Sequence, residues 1–487
     1  MNRRAVLILP SVAALGLVLP NRRAVAQKDA ISPDMLALST YVSQASQQPL
    51  PAEVAEQAKH HLIDTFAAII SGSRLPPGQS AIRYVRTHAG KGARTVIASD
   101  LTAGAVDAAL ANGVMGHADE TDDSHGRSRS HPGCAVVPAA LACGEEFNVS
   151  GEHLLRAVTL GYDVGTRVTM AMGGPKFSYE SHKSSHSIAG VFGAAAAAAC
   201  TANLNAQQMR WVFDYTAQQS SGIAAWGRDT DHIEKAFVFG GMPARSGALS
   251  ALVVHSGWNG IDDIFSGADN FFLAYAPDAD RALLVEKLGE RFEITQTDIK
   301  KWTVGSPIQG PLDAIEMIRK RRPFEASQVE QVAVRLEPSV AKVVNNRDIP
   351  DICLQHMVAV MLVDKTASFK AAHDVPRMQD PEIMRQRAKV DLIPDEKLTP
   401  LLPVRVAIVE ISLSDGTRLS ERVEAVRGTP RNPMSQREVI DKCKDLIEPV
   451  LGSKKSNQLI ETILSIEKLS RVRTLSGLLQ ASKTPSR

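Results

Sequence analysis

The sequence predicts a mainly α-helical protein with β-strands confined to one late segment. Alanine and leucine dominate the first 300 of its 487 residues, and apolar residues recur there at helical spacing. Residues 329–336 and 404–413 instead alternate apolar and polar side chains, which is typical of half-buried strands. A capping signal at residues 432–435 then returns the chain to helical patterns through Leu479.

Three early segments carry the clearest helix signals. Ser32, Pro33 and Asp34 begin a helix, and a longer one runs from Pro51 to a glycine stop at Gly72. Residues 184–201 are nearly all small, which predicts a helix at the centre of a tight bundle.

The strand signals follow a change in composition near Arg322 and Pro323. Asp415 and Gly416 come directly after the second predicted strand, and this dipeptide favours a hairpin turn into a third. The chain contains no internal repeat, P-loop or GxGxxG element.

The first 26 residues have the pattern of an export signal. Arg3 and Arg4 form a charged start, residues 5–20 are apolar, and Ala24-Val25-Ala26 fits a cleavage site. The arginine pair is compatible with the twin-arginine route. We therefore expect a periplasmic protein whose mature chain starts near Gln27, with an uncleaved N-terminal anchor as the alternative.

Charge and cysteine usage exclude several classes of protein. The net charge of +2 becomes −2 after cleavage, because the signal holds four arginines and no acid. A nearly neutral chain gives no reason to expect a nucleic-acid partner, or a membrane partner after signal cleavage. The five cysteines have no CxxC spacing, and we expect buried thiols: Cys134, Cys143, Cys200, Cys353 and Cys443.

The stretch from Gly116 to Pro132 is the strongest candidate for a functional site. It holds four acidic residues and three histidines between two apolar runs. Buried charges need partners, and titratable clusters in clefts are frequent functional sites. If the stretch were helical, His117, Glu120 and Ser124 would share one face and Asp123 another.

Four motifs in order resemble the MmgE/PrpD family, which includes 2-methylcitrate dehydratase, cis-aconitate decarboxylase and iminodisuccinate epimerase. The family's acidic pattern is matched by His117, Glu120, Asp122, Asp123, Ser124 and His131-Pro132. Lys235 stands before an apolar, glycine-ended segment, as the family's lysine does, and Lys300-Lys301-Trp302 matches its K-x-aromatic element. Residues 428–435 match its late G-x-P-x-N-P-[ML]-S pattern.

The resemblance implies a large all-helical domain with a smaller inserted α+β domain. The expected boundaries are 27–288 plus 430–487 for the helical domain and 289–429 for an α+β lid. The family resemblance further implies a homodimer, a site between the domains, and no metal or organic cofactor. The predicted catalytic residues are Glu120, His131, Lys235 and Lys300. The predicted substrate-binding residues are Ser124, His117, His186 and Gln309, the last standing where the family often has a histidine.

These side chains suit proton transfer next to a carboxylate. Lys235 and Lys300 can stabilise the negative charge that develops when an α-proton is removed. His131 can carry a proton near neutral pH, and Glu120 can act as a base or orient it. We therefore expect a cofactor-independent lyase for a small di- or tricarboxylate, with dehydration favoured over decarboxylation or epimerisation. Asp122 and Asp123 are interpreted as fold-orienting carboxylates outside the catalytic set.

Two other classes stay open at this point. A metal-dependent hydrolase or lyase is possible, although the spacing matches no H-E-x-x-H pattern; its ligands would come from His117, Asp119, Glu120, Asp123 and His131. A non-catalytic periplasmic carboxylate-binding protein would keep the lysines but would not need a titrating His131.

Overall fold

The computed structural model describes residues 30–481, so the predicted signal at 1–26 lies outside the described residues. Within that range the protein is mainly helical, as predicted. The helices before the sheet are α1 (Pro33–Gln44), α2 (Ala52–Gly72), α3 (Pro76–His88), α4 (Ala105–Gly116), α5 (Gly133–Phe147), α6 (Gly151–Ala171), α7 (Pro175–Ser181), α8 (Ser185–Thr201), α9 (Ala206–Gln219), α10 (Ile233–Ala236), α11 (Met242–His255) and α12 (Phe271–Tyr275). A short hairpin of β1 (Arg94–Thr95) and β2 (Thr102–Ala103) lies between α3 and α4.

The three predicted early helices are confirmed. The Ser32 hydroxyl accepts the Met35 N–H at 3.3 Å and caps α1, and α2 ends at Gly72 as predicted. Every residue of α8 is buried, and the helix packs against α5, α6 and α11. Small residues permit this, because a Cβ on Gly165 of α6 would lie 2.2 Å from the Ala189 carbonyl oxygen of α8.

The later part of the chain forms a four-stranded mixed sheet with helices. Its strands are β3 (Val329–Leu336), β4 (Val390–Pro394), β5 (Ala407–Leu413) and β6 (Arg418–Val423), in the order β4-β3-β5-β6. β4 runs parallel to β3, and the other pairs are antiparallel. The helices of this part are α13 (Ser306–Arg321), α14 (Pro338–Val344), α15 (Leu354–Asp364), α16 (Phe369–Ala372) and α17 (Pro381–Arg387).

The strand predictions are right for β3 and for the turn at residues 415–416 between β5 and β6. The second predicted strand was drawn three residues too early, since β5 starts at Ala407 rather than Val404. No strand was predicted at 390–394, where polar residues surround a short edge strand. The chain then returns to α18 (Gln436–Leu451), α19 (Ser453–Leu464) and α20 (Ser476–Leu479), with Ser435 capping α18 as predicted.

Two large hydrophobic cores account for most of the buried apolar side chains. One draws on residues 35–299 together with 434–479, and the other on residues 302–423. This division resembles the expected helical domain with an insertion, while the exact domain boundaries stay a prediction. All five cysteines are free and buried, as expected.

Among the described residues, one helical stretch is long and apolar enough to cross a membrane. It runs over Ile233–His255, and 67% of its most apolar window is buried inside the protein. Such burial is typical of a core helix in a folded domain. The expectation that the mature protein has no membrane partner stays a prediction.

Candidate active site

The acidic stretch is not helical, which corrects the face assignment considered above. Helix α4 ends at Gly116 and α5 begins at Gly133, so residues 117–132 form a series of turns. Two isolated bridges hold this segment, one between Ser124 and Asp298 and one between His125 and Ser130. Turns can point neighbouring side chains in different directions, and the acidic residues accordingly have separate partners.

Glu120 lies between the two predicted lysines. Its carboxylate forms an ion pair with the Lys235 ammonium group, and Lys300 Nζ lies 3.7 Å from its second oxygen. Lys300 Nζ also donates a 2.7 Å hydrogen bond to the Glu120 carbonyl oxygen. Burial alone would raise the pKa of Glu120, but Lys235 and Lys300 hold it well below its usual range. The site therefore contains a buried carboxylate with two cations.

Asp122 holds two histidines, one on each carboxylate oxygen. His117 Nδ1 lies 2.9 Å from Oδ2 and His131 Nδ1 lies 3.2 Å from Oδ1. Burial alone would raise the pKa of Asp122, but the two histidines hold it well below its usual range. An ionised carboxylate only accepts hydrogen bonds, so Nδ1 of each ring carries the proton and Nε2 is left to act as an acceptor or base.

His131 fits the role of a base that is neutral at physiological pH. Burial lowers its pKa below the ordinary value of 6.5, with a further contribution from Lys300, although Asp122 opposes the shift. Its ring lies 4.9 Å from that of His117, centroid to centroid. The arrangement of a carboxylate, an oriented histidine and a free Nε2 is one that proteins use for proton transfer.

Aromatic and histidine rings form the wall beside this group. Phe239 stacks on His186 at 3.9 Å and on His117 at 4.5 Å, centroid to centroid. Lys235 Nζ lies 5.4 Å from the centre of the Phe239 ring and 5.7 Å from that of Trp226. Aromatic faces can stabilise an ammonium group, and they keep water away from the charges.

Several polar atoms of this wall have no hydrogen-bond partner among the described residues. They are the Nε2 atoms of His117 and His232, the Nδ1 atom of His186 and the Nε1 atom of Trp226. Burial lowers the pKa of His186 well below its usual range and that of His232 to about 3, with Lys235 contributing to the second. Buried groups of this kind are nearly always satisfied in folded proteins, by protein atoms, ordered water or a ligand, so these atoms can receive hydrogen bonds from, or donate them to, a substrate.

The neighbouring Asp123 has a structural role. Asp123 accepts hydrogen bonds from the Tyr162 hydroxyl and the Gly133 N–H and contacts His61 Nδ1 at 3.0 Å. It joins α2, α5 and α6 behind the site, which agrees with its interpretation as a fold-orienting residue. Asp122 performs a different task, because it orients two of the predicted site histidines.

Ser124 and Gln309 lie to one side of the cluster. Both line a cleft of about 240 Å³ that Lys300 also lines. The Gln309 amide oxygen accepts the Trp302 N–H at 3.0 Å, and its nitrogen donates to the carbonyl oxygens of Trp302 and Val304. The polar atoms of Gln309 thus support the loop after Lys300, and its role in substrate binding stays a prediction.

The structure brings together six of the eight predicted site residues: Glu120, His131, Lys235, Lys300, His117 and His186. Sequence reasoning missed His232, Asp351 and His373, which surround the same charges. His232 stands three residues before Lys235, and that proximity was an available signal. Asp351 and His373 lie in the second core and carry no local motif.

Comparison with known protein families identifies the family of this chain. The model of the MmgE/PrpD N-terminal domain matches residues 36–283, and that of the MmgE/PrpD C-terminal domain matches residues 302–468. The chain belongs to the MmgE/PrpD family. The boundary between the two matched regions falls where the first hydrophobic core gives way to the second.

Curated members of this family include cis-aconitate decarboxylases at low identity. The Aspergillus terreus enzyme is 24% identical over 473 residues, covering 90% of this chain and 94% of that protein. The Homo sapiens enzyme is 24% identical over 463 residues, covering 90% and 92%, and the Mus musculus enzyme is 25% identical over 454 residues, covering 88% and 89%. Full-length similarity to these enzymes supports a carboxylate lyase.

The ligand set proposed for a metal does not converge as one group. Asp119 accepts a hydrogen bond from the Thr121 hydroxyl. Asp123 accepts one from the Tyr162 hydroxyl and contacts His61. A smaller set of possible ligands does converge. One ligand atom each of His117, Glu120 and His232 lies within 4.8 Å of the others. These nitrogen and oxygen donors are compatible with a divalent transition metal, although Lys235 already neutralises Glu120.

Proposed function

We propose that this protein is a lyase that moves a proton next to a carboxylate group of a small di- or tricarboxylate. The observation that carries the proposal is the Glu120 carboxylate between Lys235 and Lys300, with the Asp122–His131 pair beside it. Two cations in a buried site can bind a substrate carboxylate and stabilise the charge that develops on it. His131 Nε2 can take or return the proton.

The lysines are held ready for an anionic ligand. Glu120 compensates the positive charges of both lysines and so limits the cost of burying them. A substrate carboxylate would compete for the same charges, and the orphaned nitrogens of His117, His186 and His232 would supply or receive further hydrogen bonds. A ligand with several carboxylates matches this abundance of cationic and neutral donors.

The relatives change the order in which reactions should be tested. The sequence motifs placed dehydration slightly ahead of decarboxylation, whereas the curated relatives are cis-aconitate decarboxylases. Both reactions need a stabilised carbanion next to a carboxylate, so the same residues serve either one. We propose cis-aconitate as the first substrate to test, followed by citrate and methylcitrate.

A proton-exchange screen in deuterated water tests this function. NMR spectroscopy would follow C–H signals and product formation for cis-aconitate, citrate, methylcitrate, malate, tartrate and amino-diacids. We expect exchange or turnover with at least one of them, and a much lower rate with the Lys235→Ala variant. Tight binding of these compounds without exchange or turnover would favour a carboxylate-binding protein, and neither binding nor exchange would refute the proposal.

A metal-dependent lyase is the second candidate, because ligand atoms of His117, Glu120 and His232 lie within 4.8 Å of one another. Metal analysis after dialysis against a chelator, together with activity before and after readdition of zinc or manganese, separates the candidates. Full activity in metal-free protein supports proton transfer by side chains alone. Activity that disappears with the metal and returns with it supports the second candidate.

A further inference from the structure

A histidine of the second core reaches the acidic stretch and pairs with Asp119. His373 directly follows α16, whose Ala371 and Ala372 pack into the second core. Its Nε2 atom lies 3.0 Å from Asp119 Oδ2, and the two side chains are only 15% and 3% exposed. The contact therefore links the two cores at the residue next to Glu120.

The surroundings of His373 place a proton on both ring nitrogens, because Nδ1 makes a hydrogen bond and Nε2 makes an ion-pair contact. Nδ1 lies 2.7 Å from the Phe369 carbonyl oxygen, which can only accept a hydrogen bond. Nε2 faces the Asp119 carboxylate, whose oxygens already accept the Thr121 N–H at 2.9 Å and the Thr121 hydroxyl at 2.5 Å. Burial alone would raise the pKa of Asp119, but His373 and Thr121 hold it below its ordinary value, so the carboxylate is ionised. Because Nδ1 donates to a carbonyl oxygen, an unprotonated Nε2 would present a lone pair to this anion, and the ring is therefore an imidazolium.

The charges around His373 agree with this protonation state. Burial alone would lower the pKa of His373, but the ion-pair contact with Asp119, with the charge of Asp351, raises it to about 9. Asp351 is itself buried, and burial raises its pKa to about 7, with Glu120 and Asp119 adding to the shift and His373 and Lys235 opposing it. The cation on His373 thus sits among acids of both cores.

The pair determines where Glu120 is held. Asp119 directly precedes Glu120 in the sequence. One of its carboxylate oxygens accepts the Thr121 N–H, and the other contacts His373 from the later part of the chain. Lys300 binds the carbonyl oxygen of Glu120 itself at 2.7 Å. The peptide that carries the Glu120 carboxylate is therefore held from three directions, and only the contact with His373 comes from the neighbourhood of α16.

We propose that His373 is a positioning residue that fixes Glu120 through Asp119. This inference rests on the proposed function, because the position of Glu120 matters only if the Glu120–Lys235 pair meets the substrate. His373 does not contact the reacting groups. It holds the segment after α16 against the acidic stretch and so joins the two cores at the site.

The test compares His373→Gln, His373→Lys and Asp119→Asn with the wild type. A displacement of about 1 Å in a catalytic group costs on the order of 100-fold in rate, so we expect His373→Gln to lower kcat far more than it changes KM. His373→Lys should restore much of kcat because it returns a cation beside Asp119. Combining His373→Gln with Asp119→Asn should cost little more than Asp119→Asn alone, since Asp119→Asn already breaks the contact with His373 and also weakens the hold on Thr121.

The pH profile gives a readout that a purely structural role would not change. Since the folded pKa of His373 is raised to about 9, the ion pair is present below that pH and is lost as pH rises through it. The wild type should lose kcat over that range, and His373→Lys should shift the loss to higher pH. His153→Gln is the matched control, because His153 Nε2 contacts the Cys200 carbonyl oxygen at 2.9 Å without a carboxylate partner.

The outcomes separate this inference from the proposed function. A wild type that turns over substrate, with a His373→Gln variant that keeps the same kcat and the same alkaline limb, overturns the positioning role alone. If no carboxylate is turned over, the proposed function fails and the positioning role fails with it. NMR titration of the His373 ring then still tests the ion pair, which a pKa at or below the ordinary value of 6.5 would refute.

Discussion

Asp122 determines how the histidines of this site can act. Its two oxygens take the Nδ1 atoms of His117 and His131, which leaves both Nε2 atoms free for a ligand. In the sequence, Asp122 and Asp123 look equivalent. In the structure, Asp122 orients two site histidines, whereas Asp123 holds three helices together. The difference arises because the turns after α4 point consecutive side chains in opposite directions.

The base role of His131 leads to a prediction about pH. Since burial lowers its pKa below 6.5, the neutral ring should persist at neutral pH and kcat/KM should fall only as pH drops below that value. Asp122→Asn removes the charge that opposes this shift, so the acidic limb should move to lower pH. The same change should lower the rate by about 100- to 10,000-fold, because the ring loses its orientation.

Asp163→Asn provides the control for that experiment. Asp163 is also a buried carboxylate with two hydrogen bonds, from the Tyr41 hydroxyl and the Glu293 N–H, both at 2.6 Å. Its replacement should lower the melting temperature and leave the acidic limb where it is. Equal pH profiles for Asp122→Asn and the wild type would remove His131 from the role of base.

Lys235 carries a second prediction at this scale. Lys235→Ala loses a charge-assisted contact of roughly 1.5–3 kcal/mol to a substrate carboxylate, and kcat/KM should fall accordingly. Lys235→Arg should restore only part of it, because a planar guanidinium does not occupy the same point. Steady-state kinetics and thermal melts on the same samples separate catalysis from folding.

Lys301→Ala is the matched control for Lys235. Lys301 is also a half-buried lysine in an ion pair, 2.6 Å from Glu316, and it lies 4.3 Å from the centre of the Trp302 ring. We expect this variant to keep its kcat/KM. If Lys235→Ala keeps full kcat/KM as well, Lys235 does not belong to the site.

At the scale of elements, the segment after Lys235 shows how backbone packing positions a side chain. Residues Phe237–Gly241 form a π-helical turn between α10 and α11, and such turns are frequent at functional sites. Gly240 of this turn packs directly against Gly113 of α4, where an added Cβ would lie 2.0 Å from the Gly113 carbonyl oxygen. The close contact fixes the turn that carries Phe239 and that directly follows Lys235 and the end of α10.

Gly240→Ala should therefore disturb both stability and activity. Overpacking at a tight contact costs typically about 1–3 kcal/mol, and the displaced turn would move Lys235 away from Glu120. Gly227→Ala is the control, since nothing lies within 4 Å of a Cβ at that position. Denaturant unfolding and kcat/KM measure the two effects, and a Gly240→Ala variant that behaves like Gly227→Ala would contradict this account.

The sequence predicted elements well where one local signal decided the outcome. The cap at Ser32, the glycine stop at Gly72 and the alternation of β3 depend on neighbouring residues only, and each is confirmed. The non-helical course of residues 117–132 could not be predicted, because it depends on hydrogen bonds from distant elements such as the bridge of Ser124 to Asp298.

The convergence of the site is a property of the tertiary fold. Glu120 and Lys235 are 115 residues apart, and Glu120 and Lys300 are 180 apart. No spacing rule connects them, and they entered the prediction through family motifs. No motif predicted His373, because its role comes from the contact with Asp119. Asp351 was missed because it acts on these residues only through its charge.

At the scale of the whole molecule, export remains a prediction about residues 1–26. If the signal is cleaved after Ala26, periplasmic protein should start at Gln27. N-terminal sequencing of protein from a periplasmic fraction checks this, with replacement of Arg3 and Arg4 by lysine as the test of the twin-arginine route. An intact Met1 on the exported protein would contradict cleavage.

Assembly is the last prediction, and it concerns the helical part of the chain. Several large apolar side chains are exposed between residues 179 and 273, including Tyr179, Ile223, Trp258, Ile261 and Leu273 at 56% to 64% exposure. Burying them against a second copy would remove apolar surface from water, in agreement with the homodimer that the family motifs imply.

Sedimentation should give twice the mass of one chain, and Trp258→Ser with Leu273→Ser should weaken the association. Val375→Ser, a change at a 58% exposed residue in the later part of the chain, should leave it unaltered. A wild-type mass of one chain at micromolar concentration would refute the dimer.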